Sequence, residues 1–182
     1  MSIEIIKTGI PDVLVIIPKV FGDERGYFCE TYNEKDFLDN NLKYKFVQDN
    51  QSRSKYGVLR GLHFQKKHPQ AKLVRVIEGE VFDVAVDFRK NSPTYGKWVG
   101  EILSEKNKKQ LLIPRGFAHG FLVLSEFATF CYKCDDFYHP DDEDGIPWDD
   151  STINIKWPKT TEIILSEKDK KYPKFCEREV LF

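Results

Sequence analysis

The chain has 182 residues, 41% of them hydrophobic and 14% aromatic, and a formal net charge of −1. That length fits one domain, with a core large enough to need no disulfide or metal staple. The near-neutral balance argues against function through non-specific attachment to nucleic acid or to an anionic membrane.

Taken in chain order, residues 1–20 carry no long apolar run, because Glu4, Lys7 and Asp12 interrupt them. No signal peptide or membrane span is read there, and the cytoplasm is the expected location. Val13–Val20 is apolar and β-branched and reads as a strand. Residues 33–41 read as a helix, with Asn33 as N-cap. Phe46–Ser54 and Val58–Phe64 read as strands around the Tyr56-Gly57 turn, and Lys72–Ile77 and Val81–Phe88 flank Glu78-Gly79, a hairpin signal. Lys97–Leu103, Gln110–Ile113, Gly120–Leu124 and Ala128–Cys134 follow, at the spacing of an all-β sandwich or barrel. The segment 138–182 is rich in Asp, Pro and Trp and reads as an irregular tail of short pieces packed on the barrel. The expected architecture is a double-sheet jelly roll, residues 1–182 forming one domain with short peripheral helices and the first helix at one edge.

Two segments stand out. Gly61-Leu62-His63-Phe64-Gln65 and Pro114-Arg115-Gly116-Phe117-Ala118-His119 each end or begin a predicted strand and set a histidine near a glycine turn. Adjacent strands would bring His63 and His119 into one barrel mouth. The first segment is like a cupin metal motif with its second histidine replaced by Gln65, and Pro69 and Gln70 stand where a ligating glutamate would be sought. No metal is expected. Cys131 and Cys134 lie three apart, on opposite faces of a strand, so they cannot share an ion; free thiols are expected at all four cysteines. No G-x-G-x-x-G element is present to hold a dinucleotide, and no cofactor is expected.

Six motifs together resemble one family: residues 21–28, 46–50, 58–65, 79–87, 113–120 and 165–169. They resemble the dTDP-4-dehydrorhamnose 3,5-epimerases, cupin-fold enzymes acting on sugar nucleotides, and the likeness runs from Ile10 to about Pro173. The resemblance implies conversion of dTDP-4-dehydro-6-deoxy-D-glucose to dTDP-4-dehydro-L-rhamnose. Protons beside the C4 ketone are removed and returned on the opposite face at C5 and C3. The implied base is His63, with Asp169 as its orienting carboxylate, since a neutral imidazole accepts a proton near pH 7. The implied acid is Tyr132, a phenol whose ordinary pKa near ~10 keeps it protonated. Lys72 is the implied stabiliser of the enolate oxygen. Substrate contacts are implied for Arg25, Arg60 and Lys168 at the phosphates, and for Gln48, Asn50, Glu30, His119 and Glu143, with Tyr138 and Phe21 stacking on sugar or base. The family also implies a homodimer in which the N-terminal strand is exchanged, placing Phe21 or Arg25 in the neighbour's pocket.

Read without the family, each of these residues has a plainer account: His63 a satisfied polar core group, Asp169 a solvated charge, Tyr132 core packing, Lys72 a strand-edge charge. Three other functions are weighed. A metal cupin lacks its second histidine, and a sugar-binding jelly roll would not need the set His63, Asp169, Tyr132 and Lys72. An epimerase of one centre, or of another nucleotide 4-keto sugar, shares every motif.

Overall fold

The computed structural model describes residues 3–178 and Phe182. The fold is the expected jelly roll: two antiparallel sheets packed face to face. One sheet has six strands in the order β1 (Glu4–Lys7), β2 (Leu14–Ile17), β10 (Gln110–Ile113), β7 (Lys72–Glu78), β12 (Phe127–Cys134) and β5 (Gln48–Lys55). The other runs β13 (Glu143–Gly145), β6 (Leu59–Gln65), β11 (Phe117–Val123), β8 (Glu80–Asp87) and β9 (Trp98–Ser104). A separate hairpin joins β3 (Val20–Asp23) to β4 (Gly26–Cys29).

Residues two apart in a strand share a face, and this alternation divides the barrel interior. Val74 and Val76 of β7, Ala128 and Phe130 of β12, and Val81 and Ala85 of β8 form an apolar floor between the sheets. Further along the same faces the inward residues turn polar: Lys72 on β7, Tyr132 on β12, His119 on β11 and His63 on β6. The floor excludes water from one end and leaves the other as a mouth. The outer face of the five-stranded sheet is also covered, with Leu62, Val84 and Val86 packing against Ile146, Ile153 and Phe175 of the C-terminal segment. This double burial explains why β8 and β11 read as almost continuous apolar runs.

Several expectations are corrected. Lys72–Ile77 and Val81–Phe88 are strands but not a hairpin, because β7 and β8 lie in different sheets. The turn at Gly79 (φ 77°) carries the chain around the barrel corner, and a Cβ there would sit 2.0 Å from the Phe127 carbonyl oxygen. Strand Val13–Val20 is broken at Pro18-Lys19 into β2 and β3. Strands β1, β4 and β13 have no counterpart in the sequence reading. β11 begins at Phe117, so His119 lies inside the strand and not before it. The helix α1 (Glu34–Asp39) is capped by Asn33, whose side chain accepts from the Lys35 and Asp36 amides. It covers the outer face of the six-stranded sheet, with Phe37 against Ile16, Leu73 and Leu112, and does not sit at an edge.

Candidate active site

β6 and β11 pair with His119 opposite His63, so both histidines face the mouth, as the two glycine-flanked motifs lead one to expect. The close approach rests on Gly61 (φ 112°): a Cβ there would lie 2.6 Å from the His119 carbonyl oxygen and the Gly120 Cα. Each histidine is held by its own carboxylate. His63 Nε2 is 2.6 Å from Asp169 Oδ1, and His119 Nε2 is 2.9 Å from Asp83 Oδ2.

Asp169 is almost fully buried. Burial pushes its carboxyl up, but His63, the Ser166 hydroxyl and the Gly61 amide outweigh that and hold it below the usual carboxylate range. Being ionised, it can only accept, so His63 Nε2 donates to it, and Nδ1 is the nitrogen that offers a lone pair in the neutral imidazole. Nδ1 lies 3.8 Å from Glu143 Oε1. The Tyr172 ring meets the imidazole edge-on, 5.7 Å between centroids, and restrains its rotation. His119 is more deeply set. Burial drives its imidazole below the ordinary histidine value, and Asp83 opposes this.

Tyr132 faces the mouth from the opposite sheet, beside Phe130 and next to Asn50 across the β5–β12 ladder. Burial raises its phenol, with Cys134 and Glu143 adding to the effect and Arg60 opposing it. It therefore remains a proton donor at neutral pH. Lys72 lies on the neighbouring strand β7, and burial lowers its ammonium below the ordinary lysine range, against the pull of Cys134, Glu143 and Asp83.

Two lobes of about 360 Å³ and 420 Å³ meet at His63, Lys72 and Tyr132, which line both. Gln48, Asn50, Tyr138 and Glu143 line the first lobe; Arg60, His119, Lys168 and Asp169 line the second. Thus eleven of the residues singled out from the sequence converge on one cavity. Phe21, Arg25 and Glu30 do not line it in this chain. Phe21 and Arg25 are on the exposed β3–β4 hairpin, with Arg25 paired to Asp23 at 2.6 Å, and Glu30 accepts from the Asn33 side chain beside α1.

Gln65, at the position of the missing cupin histidine, is taken up by structure. Its amide donates to the His68 and Phe137 carbonyls and accepts from the His139 amide, tying together two loops at the rim. Among the described residues no group of three or more His, Cys, Asp or Glu is placed to hold a metal ion. All four cysteines are free. Asp83 and Tyr172 are further residues of the site, beyond those to which the sequence points. Asp83 carried a signal, an acid within the apolar run Val81–Val86 on the inward face; Tyr172 carried none.

A family model described as dTDP-4-dehydrorhamnose 3,5-epimerase matches residues 7–177. The chain belongs to this family. It is 58% identical to the dTDP-4-dehydrorhamnose 3,5-epimerase of Shigella flexneri, covering 95% of this chain and 96% of that one. The namesake of Methanothermobacter thermautotrophicus is 55% identical over 96% of each chain. Among solved structures, the 3,5-epimerase of Legionella pneumophila in complex with dTDP-4-keto-L-rhamnose superposes with a TM-score of 0.92, at 52% identity over 94% of this chain and 92% of that one. The family makes the chain an isomerase, and both sheets of its jelly roll supply the cavity's polar groups.

Proposed function

We propose that this chain converts dTDP-4-dehydro-6-deoxy-D-glucose to dTDP-4-dehydro-L-rhamnose by inverting C5 and C3, within dTDP-L-rhamnose biosynthesis. The observation that carries the reading is the placement of His63 and Tyr132 on opposite sheets, lining one cavity together with Lys72, which stands on the strand next to that of Tyr132. Inversion beside a ketone needs a base on one face of the sugar and an acid on the other. It also needs a cation or donor at the oxygen that becomes an enolate.

In this reading the His63 Nδ1 lone pair removes the C–H proton, and Asp169 stabilises the imidazolium that forms. Charge gathers on the C4 oxygen and is met by the Lys72 ammonium in a cavity closed by an apolar floor, where such interactions are strong. Tyr132 then donates from the other face. The reaction moves only protons, so no hydride carrier is needed. Arg60 and Lys168, both in the second lobe, suit the diphosphate. Gln48, Asn50 and Tyr138, in the first, offer polar and aromatic contacts to the rest of the nucleotide sugar.

The homodimer is part of the proposal. The β3–β4 hairpin exposes Val20, Phe21, Tyr27 and Phe28, a cost that a lone subunit has no reason to bear. Seated in a second copy, it would bring Phe21 and Arg25 to that copy's mouth. We also place the enzyme in the cytoplasm, in keeping with its free thiols.

The test is direct. Purified protein incubated with the 4-dehydro-6-deoxy-D-glucose nucleotide, without metal or nicotinamide, should yield the L-rhamno product, recognised from its ring-proton couplings in NMR. Return of unchanged substrate, or inversion of one centre only, would reject the reading.

A further inference from the structure

The assignment of His63 as base and Tyr132 as acid, on which this inference rests, leaves the pair in the wrong state after one inversion. A proton has moved from carbon to His63 and another from Tyr132 to carbon. The pair stands as imidazolium and phenolate, whereas a second inversion on the same sugar needs imidazole and phenol. His63 must therefore be discharged while the cavity is occupied.

Its ring faces two carboxylates. Asp169 is a poor outlet, because it is 4% exposed and its carboxylate is already engaged by His63 Nε2, the Ser166 hydroxyl and the Gly61 amide. Glu143 differs. Strand β13 pairs with β6 so that Glu143 stands opposite Gln65, on the same face as His63 two residues away. Its Oε1 is 3.8 Å from His63 Nδ1 and 2.8 Å from Lys168 Nζ, and its Oε2 accepts from the Tyr138 hydroxyl at 2.5 Å. Tyr138 is 49% exposed, and the Lys168 side chain 51%. A line from the base to solvent thus runs through one carboxylate.

We propose that Glu143 is the proton outlet of His63, discharging the base between the two inversions. The His63 Nδ1–H bond breaks as a Glu143 O–H bond forms, leaving neutral imidazole and a neutral carboxyl. The Glu143 O–H then breaks, its proton going to water at the rim beside Tyr138, and the Tyr132 phenolate takes a proton from water. No electrons change hands. Across the gap of 3.8 Å, the imidazolium created by the first abstraction attracts the carboxylate and shortens the distance. Burial pushes the Glu143 carboxyl up, but Lys168, Tyr138 and His63 outweigh it and hold the group below its ordinary range. The carboxyl therefore holds the proton only in passing.

The experiment is a single turnover in heavy water with rapid quenching, counting deuterium at each carbon. The readout is the ratio of second to first incorporation. In Glu143→Gln this ratio should fall on the order of 10²-fold, the usual worth of a positioned proton-transfer group, with a singly inverted, singly deuterated sugar accumulating. Added acetate should restore the ratio. If both incorporations fall together at constant ratio, or only KM rises, Glu143 merely holds substrate and the proposal is overturned. Glu143→Ala serves if the amide variant does not fold: a lowered ratio that acetate raises supports the outlet, and a wild-type ratio overturns it. Wild-type enzyme that incorporates deuterium at neither carbon would instead sink the epimerase reading, so the two failures are distinct.

Discussion

Asp169→Asn isolates the charge behind the base. The side chain is buried, its Oδ1 is 2.6 Å from His63 Nε2, and the Ser166 hydroxyl and Gly61 amide hold it in place. An amide of the same shape can still accept from Nε2–H, so the orientation of His63 survives; what disappears is the negative charge that stabilises the imidazolium. A hydrogen bond to a charged group contributes about 1.5–3 kcal/mol. Since the imidazolium exists only after proton abstraction, nearly all of that falls on the transition state. The expected loss in kcat is roughly 10- to 150-fold, with KM little changed. Steady-state conversion, with near-ultraviolet circular dichroism to confirm folding, measures it. A folded variant with wild-type kcat would refute the reasoning and leave Asp169 as a structural group closing the 166–169 turn.

Tyr132→Phe keeps the ring and removes the acid, so deprotonation should continue while inversion fails; deuterium would enter without change of configuration, and full inversion would remove Tyr132 from the mechanism. Lys72→Met should lower kcat on the order of 10²-fold, as loss of an oxyanion donor does, while a change confined to KM would assign Lys72 to the phosphates. The buried Asp87 carboxyl is pushed up by desolvation, but Arg89, Ser92 and Thr94 outweigh this and hold it at about 2. Its folded value lies below the unfolded one near ~3.9, so its contribution of about 2–3 kcal/mol is present above pH ~4 and disappears as pH falls through about 2. Asp87→Asn should lower stability at neutral pH by about that amount and flatten the acid limb of urea unfolding; an unchanged limb would contradict the coupling.

The sequence led to the site more surely than to the topology. Glycine beside each histidine, and period-two alternation along apolar strands, put His63 and His119 in one mouth by local rules alone. Those rules cannot say whether a turn such as Glu78-Gly79 folds a strand back within its own sheet or carries it to the other. The choice depends on which distant strands each one pairs with, here β12 beside β7 and β11 beside β8. Asp169 could be linked to His63 only through the family resemblance, because contact across 106 positions leaves no periodic trace. Strand β13 was illegible for a related reason: Glu143-Asp144-Gly145 has no strand propensity and is held by its pairing with β6.

The central claim is that one base, His63, serves both carbons. Deuterium incorporation from heavy water, resolved at C3 and C5 by NMR, tests it most directly when wild type and His63→Ala are run side by side. The account predicts label at both carbons in the wild type, and in the variant a fall at both by ~10²–10⁴-fold. Wild-type incorporation by the variant at either carbon would contradict it.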